Sequence, residues 1–98
     1  MILEQLIYEC TKNNTKAQEQ LYHLLAPKLF AVCLKYSRSY EEAQDNLQES
    51  ILLIFEKISQ YKNSGSFEGW AKRVVINYVL QQYHQFHNYF YVFYLRTI

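Results

Sequence analysis

The sequence predicts an all-α fold, a compact bundle of about four helices, and three observations carry that reading. Half of the 98 residues are hydrophobic, so a core can form. Glycine occurs twice and proline once, too few turn-formers for an all-β chain. Apolar residues recur at three- and four-residue spacing through four successive segments. The length fits one domain over residues 1–98. A chain this short buries a limited share of its surface, so modest stability is expected.

The first helix is expected over about 2–11, where Leu3, Leu6, Ile7 and Cys10 share a face. Lys12, Asn13 and Asn14 form a polar break. Thr15-Lys16-Ala17-Gln18 fits a capping box, in which a hydroxyl accepts from the amide three residues on. The second helix then runs to about Tyr36 along Leu21, Leu25, Leu29, Val32 and Tyr36. Pro27 lies inside it, where it removes one hydrogen bond and should kink the helix. Ser39-Tyr40-Glu41-Glu42 is a second capping box, opening a third helix to about Ser59. Ala43, Leu47, Ile51, Ile54 and Ile58 form its apolar face. Residues 61–66 read as a loop, and Ser66 caps a fourth helix from Phe67. Its core face holds Phe67, Ala71, Val74, Val75 and Tyr78. Residues 83–94 carry seven aromatics. Periodicity leaves two conformations open there, a continued helix or an extended stretch over 89–95.

Composition excludes several functions. The formal net charge of +1 names no partner, but its distribution is uneven. Residues 1–60 carry six Lys and Arg against eight Asp and Glu, and residues 61–98 carry four against Glu68 alone. Two surfaces of opposite preference follow. Cys10 and Cys33 sit at apolar helical positions and form no Cys-x-x-Cys motif, which fits buried thiols in a reducing cytoplasm. The N-terminus alternates apolar and polar residues, unlike a signal peptide, and no apolar run would span a membrane. There is no phosphate-cradling glycine loop, nucleophile elbow or HExxH. His84 and His87 have ligand spacing but no acidic or thiol neighbour in sequence. The expectation is a binding protein with no catalytic residues, cofactor or metal.

Two surfaces are candidates for binding. On the third helix, Asp45, Glu49 and Glu56 lie opposite the core face, flanked by Gln48 and Leu52. A leucine with a charged rim has the anatomy of an interface, and an ordinary wet helix face has the same composition. In the loop and fourth helix, Lys62, Lys72 and Arg73 are placed to meet phosphates, and Asn77 and Gln81 carry amides for base edges. Tyr61, Phe67 and Trp70 offer faces for unstacked bases, or, for Phe67 and Trp70, pack as core at the helix start.

Together these segments resemble region 2 of the extracytoplasmic-function (ECF) class of bacterial RNA polymerase sigma factors. The resemblance covers residues 21–84. It rests on Leu21-Tyr22, Pro27-Lys28-Leu29, the A-x-D-x-x-Q-E pattern of Ala43, Asp45, Gln48 and Glu49, and the F-x-x-W-x-x-R-x-x-x-N pattern of Phe67, Trp70, Arg73 and Asn77. The resemblance implies that Asp45, Gln48, Glu49 and Leu52 dock on the coiled coil of the polymerase largest subunit, with Glu56 at the end of the same stripe. It implies that Asn63, Ser64 and Ser66 line a pocket for a flipped base of the promoter −10 element. Arg73, Asn77 and Gln81 would hold the melted strand, and captured bases and phosphates would offset the unstacking cost. The family's helix usually ends in an acidic and then Arg-rich stretch. Gln81 and His84 stand there instead, which implies weaker phosphate attraction. Anti-sigma proteins commonly cover such surfaces.

Nothing in the chain resembles the helix-turn-helix that reads the −35 element, and one domain cut from a longer protein is the expectation. The aromatic tail, from about residue 85, is expected to pack on the domain or on a second copy, as a homodimer contact. The alternative function is a helical interaction or dimerisation module without DNA binding.

Overall fold

The computed structural model describes residues 2–62 and 65–86, with the last four residues of that range described by backbone only. Four α-helices and one 3-10 turn follow each other: α1 (Leu3–Thr11), α2 (Thr15–Tyr36), α3 (Tyr40–Lys57), the 3-10 turn (Ile58–Gln60) and α4 (Phe67–Phe86). The all-α expectation holds. The long α2 packs against each of the other three helices, α3 and α4 pack on each other, and the 3-10 turn meets α1. Among the described residues, no helix is long and apolar enough to cross a membrane.

Local chemistry sets the boundaries. The polar break after α1 is a tight reversal. The amides of Lys12, Asn13 and Asn14 donate to the carbonyls of Glu9, Cys10 and Glu9, with Asn13 at φ 60. Asparagine tolerates that left-handed conformation better than most residues. The cap of α2 is Asn14 and not Thr15: the Ala17 amide donates to Asn14 Oδ1 at 3.1 Å. Ser39 caps α3 as expected, accepting from the Glu42 amide at 3.1 Å. Glu42 reaches back one residue further than a capping box requires and accepts from the Arg38 amide at 2.6 Å. These bonds hold the Glu42 carboxyl below its ordinary value, through the Arg38 amide first. Ser66 accepts from the Gly69 amide at 3.1 Å and starts α4. Pro27 is exposed on α2, which is helical on both sides of it.

The core is one cluster drawn from every helix, including Leu6, Cys10, Leu21, Leu29, Ile54, Ile58 and Val75. Three expectations need correction. Leu3 is exposed, because α1 begins at that residue and only its later turns reach α2. Cys33 takes the last core place of α2, while Val32 and Tyr36 pack at its edge. Val79 is buried in α4, while Val74 and Tyr78 are partly buried. α3 also buries two polar residues, Asn46 and Ser50, because α2 and α4 enclose a wider arc than its apolar stripe. Asn46 Nδ2 donates to Ser37 Oγ at 2.9 Å. The Ser50 hydroxyl has no hydrogen-bond partner among the described residues.

Candidate functional site

Helix geometry makes the first surface. Asp45, Gln48, Glu49, Leu52 and Glu56 all lie on the exposed side of α3, with Leu52 62% exposed. Their spacing places them on one face. Among the described residues Asp45, Glu49 and Glu56 make no ion pair. Three exposed carboxylates therefore share a helix face with one exposed leucine. Tyr78 of α4 lies behind them. Burial raises its phenol above the ordinary 10, and the charges of Glu49 and then Asp45 add to the shift. Beside this stripe a groove of about 390 Å³ runs between α2 and α3, lined by Tyr22, Phe30, Tyr40, Leu47 and Gln48 among others. The sequence reading missed this groove, since half of its wall comes from α2.

The second surface joins the loop to α4. Tyr61 Oη donates to the Gly65 carbonyl at 2.8 Å and closes the loop. Gly65 has φ +82, where a side chain would be strained although the space around it is open. Ser66 is exposed; its Oγ accepts from the helix, which leaves the hydroxyl proton free to donate outward. Phe67 is only 4% exposed, with the rings of Tyr61 and Trp70 against it at 5.1 and 5.5 Å between centroids. Its core reading is the one the fold realises, and it has no free face for a base. Trp70 is partly exposed, and Arg73, Asn77 and Gln81 are exposed at the spacing of one helix face.

Lys62 is exposed at the start of the loop. Lys72 is not brought together with that face. It lies about 140° around the helix from Asn77, and its Nζ donates to Glu68 Oε2 at 2.9 Å. Lys28 of α2 donates to the other oxygen of the same carboxylate at 2.7 Å. The Lys28 and then the Lys72 hydrogen bond hold the Glu68 carboxyl down to about 2. Asn63, Ser64, the His84 and His87 side chains and the aromatic tail lie outside the described residues.

A family model for sigma-70 region 2 matches residues 21–85. The chain belongs to the sigma-70 region 2 family. The match takes in α2 from Leu21, all of α3, the loop and nearly all of α4, and so both exposed surfaces. Sigma-70 region 2 belongs to transcription initiation factors that act with RNA polymerase in promoter melting. No curated protein and no solved structure matches the chain.

Proposed function

We propose that this sigma-70 region 2 domain is of the ECF class, docks on RNA polymerase through α3 and captures the melted −10 strand through the loop and α4. The observation that carries the reading is the α3 stripe, where Asp45, Glu49 and Glu56 are exposed and make no ion pair among the described residues, with Leu52 on the same face. Exposed carboxylates on one helix face favour a basic surface such as the coiled coil of the largest subunit. They speed and orient encounter, and Leu52 supplies the apolar contact. On the other surface Trp70 offers a face to an unstacked base, Arg73 and Lys62 meet phosphates, and Asn77 and Gln81 read edges. By the resemblance, Asn63, Ser64 and Ser66 would receive the flipped base. Phe67 supports this surface from the core, its ring tilted against that of Trp70. The protein would act in the cytoplasm, where the polymerase is.

Binding of the purified chain to the isolated polymerase coiled coil, at low and moderate salt, tests the docking. Salt-sensitive binding is expected, and Asp45→Lys/Glu49→Lys should abolish it. In the same variant the Tyr78 phenol should titrate lower than in the parent, because two neighbouring negative charges have gone. Undiminished binding by the variant would sink the docking assignment.

A second reading, an interaction module without DNA binding, has one observation in its favour. Leu24 and Leu34 are 58% and 45% exposed on α2. Salt-sensitive binding of −10-like single strands, weakened by Asn77→Ala, would count against it.

A further inference from the structure

Lys28 lies 40 residues from Glu68 in the chain, yet its ammonium meets that carboxylate at 2.7 Å. Lys72 holds the other carboxylate oxygen at 2.9 Å. We propose that Lys28 and Lys72 form a phosphate-binding pair for the backbone of single-stranded nucleic acid, with the Glu68 carboxylate holding the place between them for which a phosphate competes. The proposal rests on the reading of the loop and α4 as a strand-binding surface, and extends that surface onto α2.

Charge is the first argument. One carboxylate between two ammonium groups leaves the cluster at net +1, and the lysine side chains are 58% and 40% exposed. An exposed ion pair contributes little to stability, and one lysine would already satisfy Glu68. A phosphodiester, like a carboxylate, presents two oxygens to such a pair. Position is the second argument. Glu68 also lines a groove of about 380 Å³ between α1 and the start of α4, with Glu4, Tyr61, Ser66 and Phe67 in its wall. A strand laid across the loop at Ser66 would pass Glu68 two residues on, and so the lysines that meet it. Arg73, next along α4, makes no ion pair among the described residues and adds to the positive field.

The sign of the Glu68 effect separates this role from a structural one. Its charge opposes an incoming phosphate, so Glu68→Gln should tighten binding, whereas a purely structural bridge predicts no gain. The assay is fluorescence anisotropy of a labelled A·T-rich single-stranded oligonucleotide over a salt series, with circular dichroism on every variant. Each phosphate contact contributes about −0.7 to the slope of log affinity against log salt for single strands. Lys28→Gln should therefore flatten the slope by about 0.7 and weaken binding evenly across sequences, and Lys28→Arg should restore it. Glu68→Gln should steepen the slope and raise affinity.

Unchanged slope and affinity in Lys28→Gln, with binding weakened by Arg73→Gln, would overturn the proposal and leave the strand-binding surface standing. Weaker binding by a well-folded Glu68→Gln protein would overturn it as well. If the unmodified chain binds no single strand, the strand-binding reading falls and the lysine pair falls with it.

Discussion

Replacing Phe67 by leucine separates a core role from a base-stacking role. The ring is 4% exposed, packs edge-on to Tyr61 with centroids 5.1 Å apart, and lies tilted against Trp70 at 5.5 Å. Leucine keeps the site apolar but loses both ring contacts. Such aromatic pairs contribute about 0.5–1.5 kcal/mol each beyond their burial, so a loss of roughly 1–3 kcal/mol is expected. For a domain of this size each kcal/mol lowers Tm by about 4–8 °C, which gives a fall of roughly 4–24 °C. Phe67→Ala adds a cavity and should cost about 3–5 kcal/mol, a large part of the ~5–15 kcal/mol that holds a small domain together. Thermal unfolding followed by circular dichroism measures the loss, and anisotropy with a single strand measures function below Tm. Trp70→Leu is the contrast. It removes a partly exposed stacking face, and base stacking of this kind is worth about 1–3 kcal/mol of binding. An unchanged Tm in Phe67→Leu together with lost strand binding would refute the core assignment, because that pattern belongs to an exposed stacking ring.

Other substitutions test single features. Ser39→Ala removes the hydroxyl that caps α3 and should cost about 1 kcal/mol, read as a fall in Tm. Ser50→Ala removes a buried hydroxyl that has no partner among the described residues. With better helix propensity added, a gain of about 1 kcal/mol and a higher Tm are expected, and a loss would reveal a hydrogen bond to that hydroxyl. The Glu68 carboxyl is held down to about 2 from an ordinary 4.5, first by Lys28. A depressed carboxylate stabilises the fold above its unfolded pKa. The contribution of its bridges is therefore whole above pH 4.5 and lost as pH falls toward 2. A side-chain NMR titration should find that low midpoint, and Lys28→Gln should raise it. Burial pushes the Cys33 thiol up to about 11, so thiol reagents at about pH 8 should label it only after denaturation.

Much of this was legible in the chain. Ser39 and Ser66 marked the starts of α3 and α4 because a cap is a contact within three residues. Asp45, Gln48, Glu49, Leu52 and Glu56 could be placed on one exposed face because helix periodicity alone fixes their common direction. The same holds for Arg73, Asn77 and Gln81. The reading stumbled where two neighbours compete for one local job. Asn14 and Thr15 are both good caps, and the backbone reversal at Asn13 decided for Asn14.

The sequence by itself thus determined the helices, their caps and the two exposed faces, since each is written in short-range spacing. The tertiary structure decided what depends on which helices meet. It buried Phe67, although position 67 at a helix start is equally consistent with an exposed stacking ring, because Tyr61 and Trp70 close over it. It enclosed Asn46 and Ser50 between α2 and α4, against their polarity. It brought Lys28 of α2 to the Glu68 carboxylate, which Lys72 already meets within α4. Burial and charge pairing across helices depend on packing distances that no local pattern encodes, and the meeting of Lys28 with Glu68 is of that kind.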